Sequence, residues 1–185
     1  MLIHRYDSPD RFVTGTVGAP GDRTFFLQAR EGARLTSVVL EKEQVAVLAQ
    51  RLVQLLAGVE NGPSFRRRIV LSEALTPGVD IEMADSAPLD QPIEEEFRVG
   101  TMTLAWDEES KAVIVEAFAA TESEDDEVSE ALVVRISSTM AQHFTQRAQV
   151  VVGAGRTPCQ FCGNPIDPDG HLCPRANGFK RLNRG

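Results

Sequence analysis

Apolar residues along the chain fall into six short strand-like runs and two helical stripes. The runs lie at residues 12–16, 24–29, 35–40, 97–101, 112–118 and 131–136. They are rich in β-branched residues and are separated by Gly, Pro and Asp clusters, which is typical of strands joined by turns. The turns at 19–22, 30–33 and 107–111 predict hairpins.

Two segments instead repeat their apolar residues at helical spacing. One helix is predicted over 43–57, with a stop at Gly58 and a stripe formed by Val45, Leu48, Leu52, Leu55 and Leu56. A second is predicted over 139–152, with Ser137 or Ser138 as its N-cap. The glycine-containing segment 153–155 ends it.

The order of these elements is three strands and a helix, twice. Phe12-Val13-Thr14-Gly15-Thr16 is similar to Phe97-Arg98-Val99-Gly100-Thr101, and this indicates an internal duplication. We therefore predict an α+β fold of two βββα halves, each an antiparallel meander whose open face its own helix covers. A proline-containing linker, 58–95, joins the halves and holds at most one short strand, at 69–71. Whether the halves form one continuous sheet or two packed sheets stays open.

Length and composition suit one domain, residues 1–155, with a small appendage at 156–185. Aromatic residues make up only 6% of the chain, so the core must consist mainly of Val, Leu, Ala and Ile. No apolar run approaches the roughly 18 residues of a membrane span, and the first residues do not resemble a secretory signal. With three cysteines, an odd number, reduced thiols in the cytoplasm are expected.

Charge is unevenly distributed between these two parts. Residues 1–155 hold 14 basic and 25 acidic residues, whereas residues 156–185 hold five and two. Such an acidic body disfavours broad binding to nucleic acid or to anionic membranes. The acidic segment 121–127 is predicted to be an exposed loop.

Definite chemistry appears only in the appendage, where all three cysteines lie near a histidine. Cys159, Cys162, His171 and Cys173 are a complete set of tetrahedral zinc ligands. We predict a closed, structural Zn²⁺ site. The alternatives are a redox Cys-x-x-Cys with an unrelated third cysteine, and a catalytic zinc with one open position.

Other polar groups have simpler interpretations. His4 and His143 fit no catalytic triad, and His143 is predicted to be a part-buried or surface residue of the second helix. The basic cluster Arg66, Arg67 and Arg68 is interpreted as a solvated edge that neutralises 94–96. In the basic tail, Phe179 is expected to dock the zinc module onto the acidic body, although stacking on a nucleic-acid base is the alternative.

Two long stretches resemble a known family. Gly15–Gly32 and Cys159–Phe179, with the motif Cys-x-Phe-Cys-Gly-x-Pro-x-Asp-Pro-x-Gly-His-x-Cys-Pro-Arg, are similar to an actinobacterial domain-of-unknown-function family, number 3090. The segment 40–44 is similar as well. The resemblance implies a cytosolic protein without an assigned activity. Its members are encoded beside histidine-phosphatase-like and lipid-kinase-like proteins, which implies a phosphate-linked pathway.

Three functional hypotheses follow. The first is a non-enzymatic interaction or adaptor protein with protein partners, with no catalytic residue and no cofactor other than Zn²⁺. The second is a phosphate-handling component, with Arg23, Arg30 and Arg34 as anion ligands between the halves and Glu31 as the nearby acid or base. The third is nucleic-acid binding through the basic tail. The oligomeric state is not indicated by the sequence.

Overall fold

The computed structural model describes residues 1–19, 21–61, 85–123 and 126–154, together with Cys159, Phe161, Cys162, Cys173 and Arg175. These residues form seven strands and two helices. In chain order they are β1 (Leu2–Tyr6), β2 (Arg11–Val17), β3 (Thr24–Glu31), β4 (Arg34–Leu40), α1 (Lys42–Asn61), β5 (Glu95–Asp107), β6 (Ala112–Ala119), β7 (Glu130–Ser137) and α2 (Ser138–Gly153). The predicted α+β class is confirmed.

All seven strands belong to one continuous sheet with the order β1-β7-β6-β5-β4-β3-β2. Neighbours are antiparallel except for the pairs β1–β7 and β4–β5, which are parallel. Two meanders, β2–β3–β4 and β5–β6–β7, are therefore joined side by side along the β4–β5 pair. The duplicated origin of the two βββα runs stays a prediction.

One face of the sheet carries the main core. Leu27, Val38 and Leu132 project from the strands and are almost completely buried, as are Leu52 of α1 and Phe144 of α2. The ring of Phe144 stacks on that of Phe12 with the centroids 4.9 Å apart. Aliphatic side chains make up most of this core, as the low aromatic content predicts.

The helices do not simply cover their own meanders. The two helices pack against each other, and among the strands α2 lies mainly against β2 of the first meander, while α1 contacts β5 of the second. The physical reason for the position of α1 is the β4–β5 pairing, since α1 begins directly after β4 and thus beside β5. Gln44 Nε2 donates to the carbonyl oxygens of Val99 and Gly100 at 3.0 and 3.1 Å, which fixes this contact.

The helix limits agree with the sequence at three of their four ends. The N-cap of α2 is Ser137, whose Oγ accepts a hydrogen bond from the Met140 amide at 3.1 Å. The predicted stop at Gly58 is wrong, because α1 continues to Asn61. Gly58 is not among the glycines with positive φ, so it lacks the left-handed conformation by which a glycine usually ends a helix.

A smaller apolar cluster lies on the opposite face of the first meander. Leu89 packs there against Val13, Phe26 and Val39. A Cβ atom at Gly15 would lie 2.7 Å from Leu89 Cγ, so glycine permits this close approach. The segment 85–94 contains no helix or strand, as predicted for the linker, whereas the predicted strand 69–71 lies outside the described residues.

The strand β1 was not predicted. Only Tyr6 at its end is buried, and its apolar residues Leu2 and Ile3 are exposed. Across the described part of the chain, no helix has the length and apolar character needed to cross a membrane.

Candidate metal centre

The three cysteines, predicted as metal ligands, come together in space. Their Sγ atoms all lie within 4.8 Å of one another, and none of the three forms a disulfide. Cys159 and Cys173 are buried, with 6% and 5% of their surface exposed, while Cys162 is half-buried. Three convergent, mostly buried sulfurs are a suitable donor set for a soft or borderline metal ion.

The spacing of the sulfurs fits a tetrahedral zinc ion. Two sulfurs bound at about 2.3 Å with tetrahedral angles lie about 3.8 Å apart. The Sγ atoms of Cys159 and Cys173 are 3.7 Å apart, far beyond the roughly 2.05 Å of a disulfide. The two cysteines that are most distant in sequence are thus placed as ligands of one ion.

Local backbone geometry prepares Cys159 to be a thiolate. The Phe161 amide donates a hydrogen bond to Cys159 Sγ at 3.4 Å. The pKa of Cys159 is lowered to about 7, mainly by hydrogen bonding from the Cys162 backbone and then from that of Phe161. The thiolate is the form that binds metal. Arg175 Nη1 donates to the Phe161 carbonyl at 3.2 Å, which connects this turn to the segment after Cys173.

The structure thus brings together Cys159, Cys162 and Cys173. His171, the predicted fourth ligand, lies outside the described residues, as does Phe179, which was expected to dock the tail. The four-ligand site stays a prediction that the three sulfurs support.

The arginines of the anion-site hypothesis already contact groups of the protein itself. Arg23 Nη1 donates to the Ala154 carbonyl at 2.6 Å, and Arg30 Nε lies 3.2 Å from Asp90 Oδ2. Arg34 pairs with Glu31 and lies over the ring of Tyr6. The basic cluster 66–68 lies outside the described residues, so its expected pairing with 94–96 stays a prediction.

A partly buried network of charges was not predicted from the sequence. Arg11 donates to both carboxylate oxygens of Asp85, at 2.6 and 2.9 Å, and lies 3.0 Å from Asp90. Arg147 donates to the carbonyls of Thr14 and Asp85 at 2.6 and 2.7 Å. The hydrogen bond from Arg11 is the main reason that the pKa of Asp85 is lowered. This network attaches the segment 85–90 to β2 and α2. Its residues lie too far apart along the chain for a sequence pattern to reveal it.

A protein-family model agrees with the resemblance seen in Gly15–Gly32 and Cys159–Phe179. The model described as "Protein of unknown function (DUF3090)" matches residues 4–173. The chain belongs to this family. The matched range contains all three clustered cysteines and ends at Cys173, so the candidate metal centre is part of the family region. No curated protein and no solved structure matches the chain.

Proposed function

We propose that this family 3090 protein is a zinc-binding protein in which Cys159, Cys162, His171 and Cys173 hold one structural Zn²⁺. The 3.7 Å separation of the Cys159 and Cys173 sulfurs carries this proposal, because it is the separation that tetrahedral Zn–S geometry requires. A redox pair would need two sulfurs only. Here the third sulfur lies within the same 4.8 Å group.

A structural role agrees with the donor set and with its burial. Four protein ligands leave no coordination position for a substrate or an activated water. Binding of structural zinc contributes about 10–16 kcal/mol of apparent free energy in small zinc modules. A tail of this length gains far less by burying its own surface. The metal would therefore hold the tail in its folded form.

Metal content tests this part of the proposal directly. Native mass spectrometry of the full chain should show one zinc per chain, lost after chelation. His171→Ala should lower zinc affinity, whereas His143→Ala, which removes the half-buried histidine of α2, should leave zinc binding unchanged. A protein that holds no zinc, or holds it equally well after Cys159→Ser and Cys173→Ser, would refute the site.

The function we propose for this protein is a non-enzymatic one, protein interaction in the cytoplasm. Phe161, between the first two cysteines, is 63% exposed, and exposed aromatic residues are enriched where proteins bind one another. The described residues of the acidic segment 121–127 are exposed as well. Histidine-phosphatase-like and lipid-kinase-like proteins are the partners implied by the family resemblance. The anion-site and nucleic-acid hypotheses have no comparable supporting contact and stay predictions.

Partner capture with matched variants tests the interaction function. Zinc-loaded protein should recover a reproducible partner from native cells, and purified histidine-phosphatase-like and kinase-like proteins should be tested one by one. Phe161→Ala should weaken the capture, whereas Val150→Ala, which trims a 54% exposed side chain of α2, should not. If wild type and Phe161→Ala recover the same set of proteins, Phe161 is not part of a contact surface. If the wild type recovers none reproducibly, the adaptor function is wrong.

A further inference from the structure

A second group of potential metal ligands lies on the sheet, separate from the cysteines. It consists of His4, Glu96 and Glu130, which offer one imidazole nitrogen and two carboxylate oxygens within 4.8 Å of one another. The three residues come from β1, β5 and β7, and His4 lies at least 92 positions from either glutamate in the sequence. From this convergence we infer that His4, Glu96 and Glu130 form a divalent transition-metal site open to solvent.

Strand pairing accounts for the first half of the site. β1 runs parallel to β7 with Leu2 opposite Glu130 and His4 opposite Leu132. Residues two positions apart in a strand share a face, so His4 and Glu130 project from the same face of neighbouring strands. His4 Nε2 and Glu130 Oε2 are 3.0 Å apart, and these side chains are 18% and 28% exposed.

Glu96 of β5 is the third ligand, and its buried neighbour Phe97 positions the strand. Phe97 is only 7% exposed, and its ring lies 6.2 Å from the ring of His4. Glu96 directly precedes Phe97 in β5, so the buried aromatic side chain fixes the position of this strand beside the imidazole. Glu96 itself is exposed, which leaves the site accessible to ions and water.

The local charge favours a cation at this place. Within the described ranges, neither Glu96 nor Glu130 forms an ion pair with a lysine or an arginine, and His4 is the one basic partner of Glu130. Two carboxylates close together repel one another unless a positive charge lies between them. Glu94 and Glu95 add further negative charge along the chain, and an acidic surface of this kind raises the local concentration of cations.

The donor set defines the class of ion. One imidazole with two carboxylates suits borderline and hard first-row ions such as Mn²⁺, Co²⁺ and Zn²⁺, whereas thiolates select softer ones. Three protein ligands leave further positions for water, which is the arrangement of open rather than closed metal sites. This site would therefore differ from the cysteine site in both ion preference and solvent access.

Metal titration of the full chain carrying one equivalent of Zn²⁺ tests this inference, because the thiolates of the cysteine site select that zinc. Mn²⁺ binding is followed by the loss of free Mn²⁺ signal in electron paramagnetic resonance, and Co²⁺ binding by its absorption spectrum. We expect one Mn²⁺ per chain. Removing a residue that only orients a metal ligand weakens metal binding roughly 10–100-fold. His4→Ala and Glu96→Gln remove ligands themselves and should therefore weaken binding at least as much.

The matched control is Glu109→Gln, which makes the same charge change on an exposed residue just beyond the far end of β5 and should leave affinity unchanged. Because Glu96 is exposed, its substitution does not endanger folding, and a thermal melt of each variant checks this. A wild-type protein that binds no more Mn²⁺ or Co²⁺ than Glu96→Gln would overturn the inference. His4 and Glu130 would then be only a hydrogen-bonded pair.

Discussion

The stability of this fold should depend strongly on Arg11, through its attachment of the segment 85–90 to β2. Its side chain is only 10% exposed, and it contacts the carboxylates of Asp85 and Asp90 and the carbonyl oxygens of Ala87 and Pro88. Arg11→Met keeps most of the aliphatic volume but removes every donor. Asp85 then loses its main cationic partner, whereas Asp90 still has Arg30.

The magnitude follows from the burial of the groups that are left behind. Breaking a buried ion pair by removing one partner costs about 3–5 kcal/mol. Asp85 and Asp90 are 27% and 32% exposed, so water can partly solvate them after the change. Arg147 also still contacts Asp85. We therefore expect Arg11→Met to lower the free energy of unfolding by about 2–3 kcal/mol.

The assay is urea unfolding of zinc-loaded protein, with Arg5→Met as the matched control. Arg5 pairs with one carboxylate, that of Asp7, and both side chains are more than half exposed, at 54% and 59%. Such a surface pair contributes about 0–1 kcal/mol. The reasoning would be refuted if Arg11→Met destabilised the protein no more than Arg5→Met does.

Three further predictions concern pH, the core and the metal. Because Arg11 holds the pKa of Asp85 below its ordinary value, the carboxylate stabilises the folded state above about pH 4; this stability is lost as pH falls through the folded pKa. The difference in unfolding free energy between wild type and Asp85→Asn should therefore shrink between about pH 5 and pH 2, and a constant difference would contradict this. Phe144 is 1% exposed, so Phe144→Ala should lower the free energy of unfolding, measured in urea, by about 3–5 kcal/mol. If Phe144→Ala destabilised the protein less than Val150→Ala on the exposed face of α2, the core would be elsewhere. Chelation should abolish protease resistance of the tail and leave the melting temperature of the sheet nearly unchanged. If chelation also lowered that melting temperature strongly, the tail and the sheet would be one cooperative unit.

Local patterns predicted most of the strands and both helices. Alternating or continuous apolar runs, such as 24–29 and 112–118, mark mostly buried residues, and the structure places strands there. β5 extends well beyond its predicted range of 97–101, to Glu95–Asp107. Met102, Leu104 and Trp106 alternate in this extension and pack half-buried against the core, so a strand pattern was present there that the prediction did not use. β1 was missed because Tyr6 is its one buried residue, so its sequence shows little alternation between buried and exposed positions.

The candidate sites also differ in how far apart their residues lie in the sequence. The cysteine cluster could be predicted because its members lie within fifteen residues and their type restricts the chemistry. The His4, Glu96 and Glu130 group, and the network around Asp85, require the strand order and the parallel β1–β7 pairing. Neither pairing nor order is encoded in any single segment. Ordinary histidine, glutamate and arginine residues also carry no distinctive spacing.

The predicted division of the chain into a body, residues 1–155, and a tail, residues 156–185, implies two separate sources of stability. Among the described residues, Cys159 and Cys173 are buried, and neither belongs to the main core cluster or to the cluster around Leu89. A body held by its own core and a tail held by a metal should respond independently, since additivity holds for sites without shared partners. Zinc loss would then change the surface presented by Phe161 without unfolding the sheet, and this would make the proposed partner binding dependent on metal.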